Sequence, residues 1–193
     1  DAAAKSAASG RIEPEAIPGA KKPKMPREVP PQLCTLAQEA PTGADWLHEI
    51  KFDGYRLVAH KNGDSVRLIT RAGHDWTHRF LPIAKAIGEL DVGTAIIDGE
   101  ACVLDSHGHT DFQALQGAIK AQRFAGLAFF AFDLLFYNGV DLRGATLVDR
   151  KGVLRTLIPS TKQGLIRYSD HVIGGGDAVR QNACELALEG IVC

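Results

Sequence analysis

The sequence lacks most of what would place it in or beyond a membrane. No run approaches the roughly eighteen consecutive apolar residues that a membrane-spanning helix requires, and the first residues show no charged-then-apolar secretory pattern. Cysteine is scarce: Cys34, Cys102, Cys184 and Cys193 stand far apart with no C-x-x-C pair. That argues against both a zinc site and a disulfide framework. A strong charge of one sign is missing too. With a net charge of -1 and an isoelectric point near 6.7, bulk charge announces no nucleic-acid partner, so any such contact has to come from a local basic groove. There is no internal repeat. These absences lead to the expectation of a soluble, cytoplasmic protein without membrane contact.

What is present suits one domain with a substantial core, since the 193 residues are 45% hydrophobic. The chain starts at Asp1 without a methionine and stops at Cys193 within an apolar run, so it is expected to be a piece of a longer protein. Residues 1–31 hold six of the nine prolines, an alanine-rich start and the basic cluster KKPK. Such composition favours extended chain, so 1–31 reads as an interdomain linker and 32–193 as the folded domain. KKPK reads as a solubilising tether more readily than as a phosphate contact.

From Trp46 onward, Glu49 to Lys61 and Ser65 to Thr70 predict two strands joined by the turn KNGD. A helix is expected around Phe80 to Leu90, a strand, bend and strand over 95–104, and a helix at FQALQGAIK capped by Asp111. Residues 127–136 are apolar enough for a central strand. A helix from Asp149 to Leu157, a short strand at 164–169, a helix over AVRQNACELALEG closed by Gly190 and a final strand at IVC complete the expectation. The glycines at 174–176 read as a flexible connection, and His107 and His109 as a solvated turn rather than a metal pair. Trp46, Trp76 and Phe80 are expected to form or cover the core, with Arg79 a candidate to face DNA.

Chemistry concentrates in HEIKFDGYRL, residues 48–57. Lys51 is flanked by Ile50 and Phe52 and followed at once by Asp53-Gly54, so its amine is either a solvated charge or a nucleophile. Its company favours the nucleophile. TRAG at 70–73, DGE at 98–100, FDLL at 132–135 and EGIV at 189–192 each put a polar residue at a strand end or turn beside apolar ones, where side chains converge on one cleft.

KFDGYR, RAG, IIDGE, AFDLL and EGIV resemble, in order, the motifs of the covalent nucleotidyltransferases, which include ATP-dependent DNA ligases and mRNA capping guanylyltransferases. The longer stretches PQLCTLAQEAPTGADWLHEIKFDGYRL and FDLLFYNGVDLRGATLVDRK are most similar to the ligase module of bacterial multifunctional end-joining ligases, and the resemblance covers about residues 30–193. It implies an α+β, ATP-grasp-like nucleotidyltransferase fold of twisted, mainly antiparallel sheets with flanking helices, truncated at its C-terminus. It implies that Lys51 attacks the α-phosphorus of ATP, expels pyrophosphate and holds AMP as a phosphoramidate. An ordinary lysine, with a pKa of about 10.4, needs nearby cations or desolvation to do so; Arg56, Arg71 and a magnesium ion would supply that field. By the same resemblance Glu49 accepts the adenine amino group, with Ile50 lining the site, and Phe132 stacks on the base. Asp53 shapes the bend with Gly54 and either positions metal or lysine or serves the turn alone. Arg56 and Arg71 suit phosphate and ribose oxygens. Glu100 binds ribose or Mg2+ (or Mn2+), and Glu189 binds the metal near the reacting phosphate.

In the resembled family a lysine following EGIV, a later strand with two further lysines and an OB-fold domain complete the machinery; in this sequence those positions would lie past Cys193. The piece alone is therefore expected to be impaired in ligation and to present an unpaired sheet edge. The partners implied are nicked or broken duplex DNA, Ku, and fused polymerase and phosphoesterase modules. Two alternatives remain: an RNA ligase or capping-type enzyme, and a non-catalytic DNA-binding remnant. An NAD-dependent ligase fits less well, with no upstream nicotinamide-binding domain and no four-cysteine zinc module in view.

Overall fold

The computed structural model describes residues 13–159, 164–186 and 188–193. The first twelve residues of the expected linker, and Ala187 within the last expected helix, lie outside them.

Two sheets meet at the KFDG stretch. Strand β1 (Leu47–Ile50) belongs to a three-stranded antiparallel sheet, while β2 (Tyr55–Asn62) and β3 (Ser65–Thr70) form a hairpin in a six-stranded one. Gly63, with φ 57°, is the first of the two hairpin-loop residues, where a II′ turn requires positive φ. Residues 49–61, expected as one strand, are thus two strands in different sheets, broken at 51–54. Gly54 explains the break. A Cβ there would collide with the Ala101 carbonyl oxygen and lie 2.8 Å from the Cys102 sulfur, so the crossing needs a residue without a side chain.

In the larger sheet β2 pairs with β4 (Thr94–Val103), which pairs with the central β5 (Leu127–Tyr137). The other edge of β5 carries β6 (Val140–Asp141), antiparallel, and β7 (Ile166–Tyr168), parallel. In the smaller sheet β1 lies between β8 (Val172–Ile173) and β9 (Ile191–Val192). Residues 95–104 are not strand, bend and strand: β4 runs unbroken, and the expected bend is a bulge where register against β5 slips between Asp98 and Gly99.

Helices cover one face of the larger sheet. α1 (Leu81–Gly88) turns Ile83, Ala84 and Ile87 inward, and α2 (Phe112–Ala121) starts at Asp111, whose carboxylate accepts the Ala114 N–H at 2.8 Å. α3 (Leu147–Leu157) begins earlier than expected because Thr146 caps it. α4 (Gly176–Glu185) stops well short of Gly190. Its entry glycines form a turn that calls for glycine: Gly174 and Gly175 have φ 69° and 66°, and a Cβ on Gly176 would lie 2.7 Å from the His48 ring. His107 and His109 do sit in a turn, organised by Asp105, which accepts both their backbone N–H groups.

The side-chain period of two sends Leu57 and Ala59 to the helix-covered core and Val58 to the opposite face. On that opposite face Val58, Ile96, Leu135 and Phe136 are covered by Val29 with Met25 beside it, and Lys21 makes a bridge to Asp141. The described part of the segment read as linker therefore lies along the domain. Phe80 is fully buried and Trp76 packs on the same core, whereas Trp46 is 44% exposed.

Candidate active site

The 51–54 crossing opens into a cleft of about 880 Å³ between the two sheets. Every residue singled out from the sequence lines it: Glu49, Ile50, Lys51, Asp53, Arg56, Arg71, Glu100, Phe132 and Glu189. Topology achieves this. β1 supplies Glu49 and Ile50, the crossing supplies Lys51 and Asp53, and β2, β4 and β5 lie side by side and contribute Arg56, Glu100 and Phe132. Arg71 follows β3, and Glu189 precedes β9.

Lys51 is held by its backbone, whose N–H donates to the Gly190 carbonyl at 3.0 Å, while Nζ forms an ion pair with Glu189 and remains half exposed. Phe52 pins the middle of the crossing by stacking on Phe130, with ring centroids 3.8 Å apart.

Arg56 is more committed than a free phosphate ligand. Its guanidinium makes a bidentate contact to Asp98 at 3.0 and 2.8 Å, donates to the Gln32 carbonyl at 2.7 Å and lies over the Phe132 ring at 5.1 Å. Arg71 is exposed. Glu100 stands opposite Arg56 in the β2–β4 register, and burial pushes its carboxyl up to about 8, against the pull of the Arg56 and Lys51 charges.

A carboxylate so disfavoured alone is chemically suited to a cation. Among the described residues no three His, Cys, Asp or Glu side chains gather into a cage. Glu100 and Glu189 on one cleft do match the way magnesium is held, by one or two carboxylates plus phosphate oxygens.

Several residues at the site were not foreseen. Asp98 and Gln32 anchor Arg56, and Asp133 receives Arg150 bidentately at 2.7 and 2.8 Å. Lys151, fully buried, donates to Glu49 at 2.8 Å, and Ser169 donates to the same oxygen at 2.7 Å. One signal was readable: in α3, Lys151 falls on the stripe Leu147, Lys151, Leu154, at the i, i+4, i+7 spacing of an inward face.

A lysine at the seam of two mainly antiparallel sheets, facing a cleft edged with carboxylates, arginines and an aromatic ring, is the architecture of nucleotidyltransferase domains in ATP-dependent ligases. Two solved structures share it: a mycobacterial DNA ligase D complexed with ATP and MES (TM-score 0.70, 31% identity, covering 84% of this chain and 52% of that one) and the ligase domain of Mycobacterium tuberculosis LigD (TM-score 0.63, 31% identity, 76% and 47%). The chain belongs to the ATP-dependent DNA ligase domain family, which it matches over residues 31–193. It is 38% identical over 174 residues to the multifunctional non-homologous end joining protein LigD of Pseudomonas aeruginosa, covering 90% of this chain and 20% of that protein. The chain thus spans about a fifth of that relative's length. Among the described residues no helix is long and apolar enough to cross a membrane.

Proposed function

We propose that this chain is the adenylation domain of an ATP-dependent ligase that seals nicks or breaks in duplex DNA during end joining. The observation that carries this reading is the position of Lys51, on the crossing between the sheets and in one cleft with all the other residues the motifs name. In the first step Lys51 Nζ bonds to the α-phosphorus of ATP as the bond to the β-phosphate oxygen breaks, releasing pyrophosphate. Glu189, ion-paired with the Lys51 ammonium, stands where the amine's proton has to go. Glu49 accepts the adenine amino group, Phe132 offers a stacking face, and Arg71 is free to meet phosphate. Arg56 keeps Phe132 and the Gln32 segment in place, with N–H groups left over for ribose or phosphate. Glu100 and Glu189 would hold Mg2+ or Mn2+, which when bound supplies charge neutralisation at the reacting phosphates. AMP then passes to a DNA 5′-phosphate, and attack by the 3′-hydroxyl expels it.

Positioning and charge stabilisation account for most of such catalysis. The relative named as a multifunctional non-homologous end joining protein supports the end-joining setting; fused polymerase and phosphoesterase modules, Ku at the break and a cytoplasmic location belong to the same proposal.

The test is incubation of the full-length protein with magnesium and ATP or GTP, read by intact mass, with Lys51→Ala as control. One added AMP, absent in the variant, is expected. Labelling by GTP alone would move the reading to a capping-type enzyme, and no adduct from either nucleotide would overturn it.

A further inference from the structure

Beneath the cleft lies a lysine to which the adenylation steps assign no part. Lys151 is on a helix, yet its side chain is 0% exposed. Its ammonium donates to Glu49 Oε2 at 2.8 Å, to the Phe132 carbonyl at 3.1 Å and to the Ser169 carbonyl at 3.0 Å, and it lies 4.9 Å over the Tyr168 ring. All three donors are in use. The Ser169 hydroxyl donates to the same Glu49 oxygen at 2.7 Å. Among the described residues nothing donates to Glu49 Oε1, and Glu49 lines the cleft.

We propose that Lys151, assisted by Ser169, is a positioning residue that holds Glu49 as a fixed hydrogen-bond acceptor and so makes the site choose 6-aminopurine over 6-oxopurine nucleotides. The inference rests on the adenylation reading above and assigns its base selectivity to a residue buried out of reach of the nucleotide.

The reasoning is one of donors and acceptors. An ionised carboxylate only accepts. The amino group on C6 of adenine donates to it, whereas the oxygen on C6 of hypoxanthine or guanine would face it acceptor to acceptor. Burial pushes the Glu49 carboxyl above the usual carboxylate range, and the Lys151 charge is the foremost influence holding it down. Asp133 on β5 pushes it the same way as burial, and Tyr168, Asp170 and His171 at the end of β7 face the Lys151 side of the pair. Without the ammonium, Glu49 takes a proton more readily, and a protonated carboxyl donates as well as accepts, so it is able to satisfy a 6-oxo group.

The experiment compares ATP with inosine triphosphate in the full-length protein, as rates of nucleotidyl transfer to Lys51 over a range of pH. Wild type should prefer ATP. Lys151→Met should lower the ATP-to-inosine-triphosphate ratio about 10- to 100-fold, the loss of a buried charged hydrogen bond, and more so as pH falls. Ser169→Ala, which keeps the ammonium, should lower it less. A folded Lys151→Met with an unchanged ratio overturns the inference, because a merely structural lysine would weaken both nucleotides alike. If that variant does not fold, an unchanged ratio in Ser169→Ala overturns it. If wild type takes up no AMP, the adenylation reading fails separately, and calorimetric titration of ATP and inosine triphosphate then decides the inference: equal affinities sink it.

Discussion

In the six-stranded sheet the long strands β4 and β5 run side by side through a core where Leu57, Ile97, Phe129 and Leu134 are fully buried. In the three-stranded sheet β8 and β9 have two residues each, and Val172 and Ile173 are 50% and 55% exposed. The cleft between them therefore has one stiff wall, carrying Arg56, Glu100 and Phe132, and one wall secured by few backbone bonds, carrying Glu49 and Glu189. Lys51 sits on the seam, and the Glu49–Lys151 contact is a side-chain tie from the small sheet to the large core. The contrast teaches that a side chain on the weakly secured sheet needs a tie from outside it to be held in place, as Lys151 holds Glu49, whereas Arg56, Glu100 and Phe132 are held by the sheet they stand on.

The strongest way to break the contrast is to weaken the stiff wall. Phe129→Ala should cost about 3–5 kcal/mol, read as a lowered denaturant midpoint, while Ile173→Ser in the small sheet should stay within about 0.5 kcal/mol. Equal losses would mean that the two sheets are energetically alike.

A change at the seam comes next. Gly54→Ala forces a methyl against the Ala101 carbonyl, so a destabilisation of about 1–3 kcal/mol is expected, together with slower labelling of Lys51 even in the folded fraction. Normal labelling would show that the crossing tolerates displacement.

The smallest effect is one of pH. Burial, reinforced by Arg67, holds His60 on β2 below its ordinary value. A depressed folded pKa means stability that is complete above the unfolded value of about 6.5 and is lost as pH falls below it. His60→Gln should flatten that acid slope, read as the dependence of the melting temperature on pH; an unaltered slope would show that His60 is not its source.

The site was more legible in the sequence than the fold around it. Lys51, Glu100 and Glu189 announce themselves because each lies in a short local motif, and Asp111 and the hairpin at Gly63 follow from local capping and turn chemistry. The bend at Asp53-Gly54 was readable as turn chemistry, but not that it parts two sheets: β1 and β2 both read as one extended segment, and that they enter different sheets depends on the distant backbone of Ala101. The bulge at Asp98–Gly99 depends likewise on β5. Lys151 was not singled out because its partners Glu49 and Ser169 are remote in sequence, and only the helical stripe marks it as inward. The packing of Met25 and Val29 was masked by the prolines around them, Pro23, Pro26, Pro30 and Pro31.

The hydrogen bond from Arg56 to the Gln32 carbonyl links the approach of the chain to the floor of the cleft. The same guanidinium is gripped by Asp98 and roofs Phe132, so the backbone at Gln32 cannot lift without pulling on the group that covers that ring. Mechanically, the arrangement is a latch: a pull on the segment around Gln32 reaches Arg56 and the Phe132 ring before the rest of the cleft.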